Sequence, residues 1–265
     1  MYDILRNLLC DKKTDNIFKC FSLSHIIYLT IIFSIIIIAI ILLKNKSENT
    51  KQKVINISIN IAFGLYIADF FLMPFSYGEI DIEKLPFHIC TAMCLMCFIS
   101  CHNKFLNRFK HQFALIGFIS NLVYIIYPAG VMWHQVSPLS YRVYQTLLFH
   151  GSMTAYGLFI LFFDNVKLNF KYCYKELIIL SCISLWAVIG NTLYTGIITS
   201  STNNYNWFFV VQDPFAIIPL EIAKFIMPIL TVIIFFIAVL LIYLIYNLIV
   251  KLINKKKVIL SWLIK

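Results

Sequence analysis

Between Ser22 and Leu43 the chain runs without a single Asp, Glu, Lys or Arg, and 15 of the 22 positions are isoleucine, leucine or phenylalanine. About twenty apolar residues match a hydrocarbon core of about 30 Å, so a run like this belongs in a bilayer. The rest of the 265-residue chain follows suit: 61% of residues are hydrophobic and 13% charged, and the mean hydropathy is +0.84. A soluble fold of this size could not cover so much apolar surface. Strands that span a membrane alternate in polarity, and these runs do not. The fold class is therefore all-α, a polytopic transmembrane helical bundle. The 22–43 run is too long for the apolar region of a signal peptide and has no small-residue cleavage site behind it.

Seven spans are expected: Ser22–Leu43; Val54–Met73, closed by Pro74; Leu85–Cys101, short and rich in cysteine; Phe113–Tyr127, closed by Pro128; Tyr144–Phe163; Leu177–Thr199; and Ile222–Val250, longer than the bilayer and tilted. The net charge of +10 is not a nucleic-acid signature, because the basic residues sit in short clusters between the spans. Lys44, Lys46, Lys51 and Lys53 follow the first span, and Lys104, Arg108 and Lys110 the third. Lys167, Lys171 and Lys175 follow the fifth, and Lys251, Lys255, Lys256, Lys257 and Lys265 the seventh. Fifteen of the 22 basic residues thus fall on one side. Basic loops stay in the cytoplasm, which places the N-terminus outside and the C-terminus inside, in a multi-pass protein of the cell membrane. Residues 1–21 then form an interfacial segment, 22–250 the bundle and 251–265 a basic cytoplasmic tail. Ile4, Leu5, Leu8 and Leu9 suit a short amphipathic helix on the membrane surface.

Polar residues inside a membrane are costly unless paired or hydrated. His88, Cys90, Asn121, His150 and Asn191 all interrupt apolar runs. With the orientation above, their depths converge: His88 and Cys90 lie in the first turns of the third span, and His150 lies about 9 Å into the fifth at 1.5 Å per residue. Asn191 lies about 12 Å deep in the sixth by the same rise, and Asn121 sits in the outer half of the fourth. Asp69 lies near the outer end of the second. Either these residues face one another and outline a site, or they are interhelical glue.

A thiol becomes a nucleophile when an imidazole takes its proton or a helix N-terminus favours its anion. Cys90 lies in the first turns of a helix that begins near Pro86. His88 is about 200° away around that helix, so the base must come from elsewhere, and His150 has a compatible depth. The plainer role for Cys90 is a small apolar residue in a packed helix. Cys90, Cys94, Cys97 and Cys101 form one stripe, which serves close helix packing better than a metal site; no metal and no cofactor are expected. His134 reads as a loop histidine beside an interfacial Trp133, and His25, His102 and His111 as span-end residues. The stretch Asn203-Asn204-Tyr205-Asn206-Trp207 reads as a loop returning over the mouth of the bundle.

These residues carry a resemblance. Leu85-Pro86-Phe87-His88-Ile89-Cys90 resembles the Leu-Pro-x-His/Gln-x-Cys opening of a helix in YwaF-like bacterial integral membrane proteins. Phe149-His150-Gly151 resembles that family's His-Gly helix, and Asn203–Phe208 followed by Asp213-Pro214 resembles its Asn-Tyr loop. The motifs fall in the same order over roughly residues 55–250; Asn121-Leu122-Val123 departs from the small-residue pattern before Tyr127-Pro128. That family is similar to eukaryotic TMEM proteins that resemble acyltransferases acting on phospholipids. The resemblance implies Cys90 as nucleophile, His150 as base and membrane lipids as partners. His88, Asn121, Asn191, Asn204 and Tyr205 become candidates for holding substrate, with His88 and Asn191 able to orient groups or donate to an oxyanion. A small-solute transporter and a non-catalytic receptor or partner-binding bundle stay open beside the enzyme.

Overall fold

The computed structural model describes residues 9, 15–77, 82–164, 166, 168–194, 205–212 and 217–263, and among these there is no strand. Seven helices carry the fold: α1 (Leu23–Leu43), α2 (Glu48–Tyr77), α3 (Ile89–His102), α4 (Lys110–Ile126), α5 (Tyr141–Phe163), α6 (Tyr174–Tyr194) and α7 (Leu220–Leu263). Six of the helical stretches are long and apolar enough to cross a membrane; α3, with 14 residues, is the short one. At 1.5 Å per residue it rises about 21 Å, less than the hydrocarbon core.

Polar ties at the two ends of the bundle establish that α3 nonetheless runs from one end to the other. At one end Asp164, just past α5, accepts from Gln52 at the start of α2 (2.6 Å), and from Lys110 and His111 at the start of α4 (3.0 Å each). Asn247 on α7 donates to the Leu168 carbonyl near the same turn (3.1 Å). At the opposite end Tyr66 on α2 donates to the Lys84 carbonyl (2.9 Å), and Trp186 on α6 to the Pro86 carbonyl (2.8 Å), both just ahead of α3. His25, fully buried at the start of α1, bonds the Ile125 carbonyl at the end of α4 (2.9 Å). The seven helices therefore alternate in direction, and the loops after α1, α3 and α5 share the Asp164 end.

Helix α5 is the central element. Two thirds of it is buried, against about a tenth of α1. Its closest neighbour is α4, and Gly157 makes that approach possible: a Cβ there would stand 2.5 Å from the Phe118 Cβ and 3.0 Å from the Ala114 carbonyl oxygen. The isoleucines of α1, such as Ile31, Ile35, Ile38 and Ile41, stay exposed, as lipid-facing residues do.

The boundaries depart from the expected spans in three places. Pro74 lies inside α2, which continues to Tyr77. Proline there removes one i→i−4 backbone bond and crowds the carbonyl four residues back, and α2 ends within a turn of it. Leu85–Phe87 form a turn, so α3 starts at Ile89 with His88 as its N-cap. Helix α7 continues through residues 251–263 and so takes up most of the expected tail. The expected amphipathic helix falls on residues outside the described ones except for Leu9.

Candidate functional site

Three elements meet at the end opposite Asp164: the first turn of α3, the last two turns of α4 and the middle of α5. Cys90 is the second residue of α3, and His150 lies ten residues into α5; both are buried. Asn121 on α4 is fully buried and stands against His150, its Oδ1 2.6 Å from the imidazole Nδ1. The Asn121 amide group settles which atom faces the ring. Its Nδ2 donates to the Gly117 carbonyl one turn back (2.7 Å) and to the Ser120 hydroxyl (3.4 Å). The carboxamide oxygen is left for the histidine, so Nδ1 must carry the proton and Nε2 the lone pair.

The ring itself is fixed in place. Tyr124, one turn further along α4, stacks on it with centroids 3.9 Å apart and planes inclined by 16°, while Phe149 packs edge-on. The His150 carbonyl accepts from Thr154 (2.8 Å), which keeps this polar turn of α5 satisfied. The Cys90 thiol meets the Ser120 hydroxyl. A hydrogen-bonded polar path thus runs along α4 from Ser120 through Asn121 to His150 Nδ1 on α5, with Cys90 of α3 near its Ser120 end.

Charge collects beside this path. Asp69 on α2 is buried and forms an ion pair with Lys84 (2.7 Å), and Tyr141 stands against the same carboxylate. Lys84 and His88 both lie close enough to act electrostatically on His150. His88 and Tyr124 are half-buried, while Cys90 and His150 are buried.

The loop 205–212 closes the other flank. Phe208 donates its backbone N–H to His88 Nδ1 (3.4 Å). Asn191 does not turn toward His150. Its carboxamide grips the Trp207 backbone on both sides, accepting from the N–H and donating to the carbonyl at 3.2 Å each. Tyr205 stacks flat on the Trp207 ring at 4.7 Å. It lines, with Asn206, Gln212 and Lys224, a cavity of about 140 Å³. Asn204 lies outside the described residues.

Asn121 and His150 are therefore brought into direct contact, and Cys90 lies near Ser120 beside them, while His88, Asn191 and Tyr205 engage the loop 205–212. Sequence reasoning missed Ser120 and Tyr124; their spacing from Asn121 along α4 is the signal that places them on neighbouring faces. It also missed the buried tie of His25 and the part-exposed tie of His111, which look like span-end residues in the sequence. His134 accepts from Arg142 (3.2 Å) rather than standing alone in its loop. Among the described residues no three His, Cys, Asp or Glu side chains gather in the manner of a metal site.

The fold and this site define a class: an integral membrane protein of seven alternating helices with a polar cluster buried at one end. The TMEM164 family matches residues 20–249, and the chain belongs to that family. No curated protein and no solved structure matches it.

Proposed function

We propose that this protein transfers or hydrolyses acyl chains of membrane phospholipids through a Cys90 thioester, with His150 as the base. The observation that carries the reading is the 2.6 Å contact between Asn121 Oδ1 and His150 Nδ1. It leaves a neutral imidazole with its lone pair on Nε2, held in one orientation. A thiol, an imidazole and a carboxamide that orients the imidazole form a working set for acyl transfer on unrelated folds. The site's place at one end of a bundle suits a substrate whose ester lies near the membrane–water boundary. The likeness to YwaF-like proteins and to acyltransferase-like TMEM proteins points the same way.

In the first half-reaction the Cys90 proton passes to His150 Nε2 as the sulfur adds to the ester carbonyl. The tetrahedral adduct collapses, the C–O bond breaks, and the leaving lysolipid oxygen takes the proton back from Nε2. In the second half, His150 takes a proton from water or an acceptor hydroxyl, whose oxygen attacks the thioester. The C–S bond then breaks and the proton returns to sulfur. Water gives hydrolysis; a lysolipid gives transfer. The basic loops of the Asp164 end support a cytoplasmic side for that end, and with it chemistry at the outer leaflet of the cell membrane.

The test is labelling by a lipid-like electrophile in membranes, with acyl transfer to a lysophospholipid measured in parallel. Both signals should disappear with Cys90→Ala and with His150→Ala. Labelling that persists in both variants removes the enzyme reading.

A further inference from the structure

We propose that His88 is the oxyanion donor of this site, its proton fixed on Nε2 by the loop 205–212. The assignment deepens the acyl-transfer reading above and rests on it. It starts from a hydrogen bond. The Phe208 N–H donates to His88 Nδ1 at 3.4 Å. A ring nitrogen that accepts holds its lone pair there, so the ring is neutral at Nδ1 and its one proton sits on Nε2. His150 is set the opposite way, with the proton on Nδ1 against Asn121 and the lone pair on Nε2. One histidine is arranged to accept a proton and its neighbour to donate a hydrogen bond.

The loop is built to make that contact. Phe208 and Phe209 both take left-handed backbone angles, with φ of 57° and 53°, an uncommon state for bulky residues that persists where surroundings enforce it. The enforcement is visible. Asn191 holds both backbone groups of Trp207, and the Trp207 indole N–H donates to the Glu83 carbonyl (3.2 Å). The Asn206 side chain accepts from the N–H groups of Val211 and Gln212 (3.1 Å each) and donates to the Gln212 carbonyl (2.7 Å), closing the loop on itself. The constrained turn aims one backbone N–H at one imidazole nitrogen, two residues before the Cys90 that would carry the acyl group. Asn191 is thus a positioning residue that acts through the loop.

When sulfur adds to an ester carbonyl, the carbonyl oxygen gains negative charge, and a donor aimed at it speeds that step. Alkylation of the same sulfur by iodoacetamide displaces iodide and builds no oxyanion. The two reactions separate a donor from a structural prop. The full chain, reconstituted in phosphatidylcholine–phosphatidylglycerol vesicles, is assayed for acylation of Cys90 by 4-nitrophenyl octanoate and for its alkylation by iodoacetamide. The Cys90 peptide is quantified in both. In His88→Asn the new carboxamide oxygen replaces Nδ1 and keeps the Phe208 bond, but the distal donor is gone. In His88→Gln the amide N–H reaches the place of Nε2. Acylation should fall about 100-fold in His88→Asn and recover most of that in His88→Gln, with alkylation within twofold of wild type in both. Acylation retained in His88→Asn overturns the assignment. So does loss of both reactions together in the two variants, which marks His88 as a packing residue. A wild-type protein whose Cys90 is alkylated but never acylated overturns the acyl-transfer reading itself, and the donor role with it.

Discussion

Asn121 is the residue on which the geometry of the site turns. It is fully buried, and its three hydrogen bonds commit every polar atom of the side chain. Replacing it with alanine leaves the Nδ1 proton of His150 without a partner and frees the ring to change tautomer. Asn121→Ala should lower the rate of Cys90 labelling by a lipid-like electrophile roughly 100-fold, within the usual worth of an oriented general base. Iodoacetamide applied at a pH high enough to ionise thiols without a base should reduce that gap; a gap that stays unchanged would place the defect in packing instead. At this scale the sequence was informative about depth and silent about direction. Rise per residue brought Cys90, Asn121, His150 and Asn191 to comparable heights, but height does not say which way a side chain points. Asn191 illustrates the difference: it shares the level of the others and spends its carboxamide on the Trp207 backbone. Ser120 and Tyr124 passed unnoticed for the converse reason. A serine and a tyrosine in an apolar helix are ordinary residues until their neighbours on α3 and α5 are known.

Among elements, the tie at Asp164 joins the start of α2, the start of α4 and the end of α5. Burial alone would push the Asp164 carboxyl up, but hydrogen bonds from His111, Lys110 and Gln52 outweigh it and hold the group down at about 2. A carboxylate depressed in the folded state adds stability that is complete above its unfolded value near 3.8. That stability is lost as pH falls through the window between 3.8 and about 2. The contribution at neutral pH is about 2 kcal/mol. Asp164→Asn should therefore lower the midpoint of thermal unfolding in detergent at pH 7. The difference from wild type should close as the pH is taken toward 2. A difference that is constant with pH would mean that shape, not charge, is what the residue supplies. None of the partners in this tie was legible from spacing, since Gln52, Lys110, His111 and Asp164 come from three segments more than fifty residues apart in sequence. The helices themselves were legible, because uninterrupted apolar runs of bilayer length admit few alternatives. Their ends were less so: Pro74 looked like the stop itself, and α2 runs three residues past it before ending.

For the whole molecule, the question is which end faces which compartment. The alternation of the seven helices gathers Lys44, Lys46, Lys104 and Arg108 at the Asp164 end, together with Lys171. That grouping was readable from loop composition before any contact was known. The short α3 is the weak link in such a count, since a helix of about 21 Å does not by itself establish a crossing. What fixes its passage is the pair of end ties, with Lys84 and Pro86 bonded to α2 and α6 ahead of it, and Lys110 bonded to Asp164 behind. If basic loops lie in the cytoplasm, the His88 end faces outward. Single cysteines at Lys46 and at Gln212, introduced with all eight native cysteines changed to serine, test this in intact cells. A membrane-impermeant maleimide should label the Gln212→Cys chain at once and the Lys46→Cys chain only after permeabilisation. The reverse pattern would turn the bundle over and deliver the Cys90 chemistry to the inner leaflet. Labelling of both positions in intact cells would break the odd number of crossings, and with it the role of α3 as a full pass.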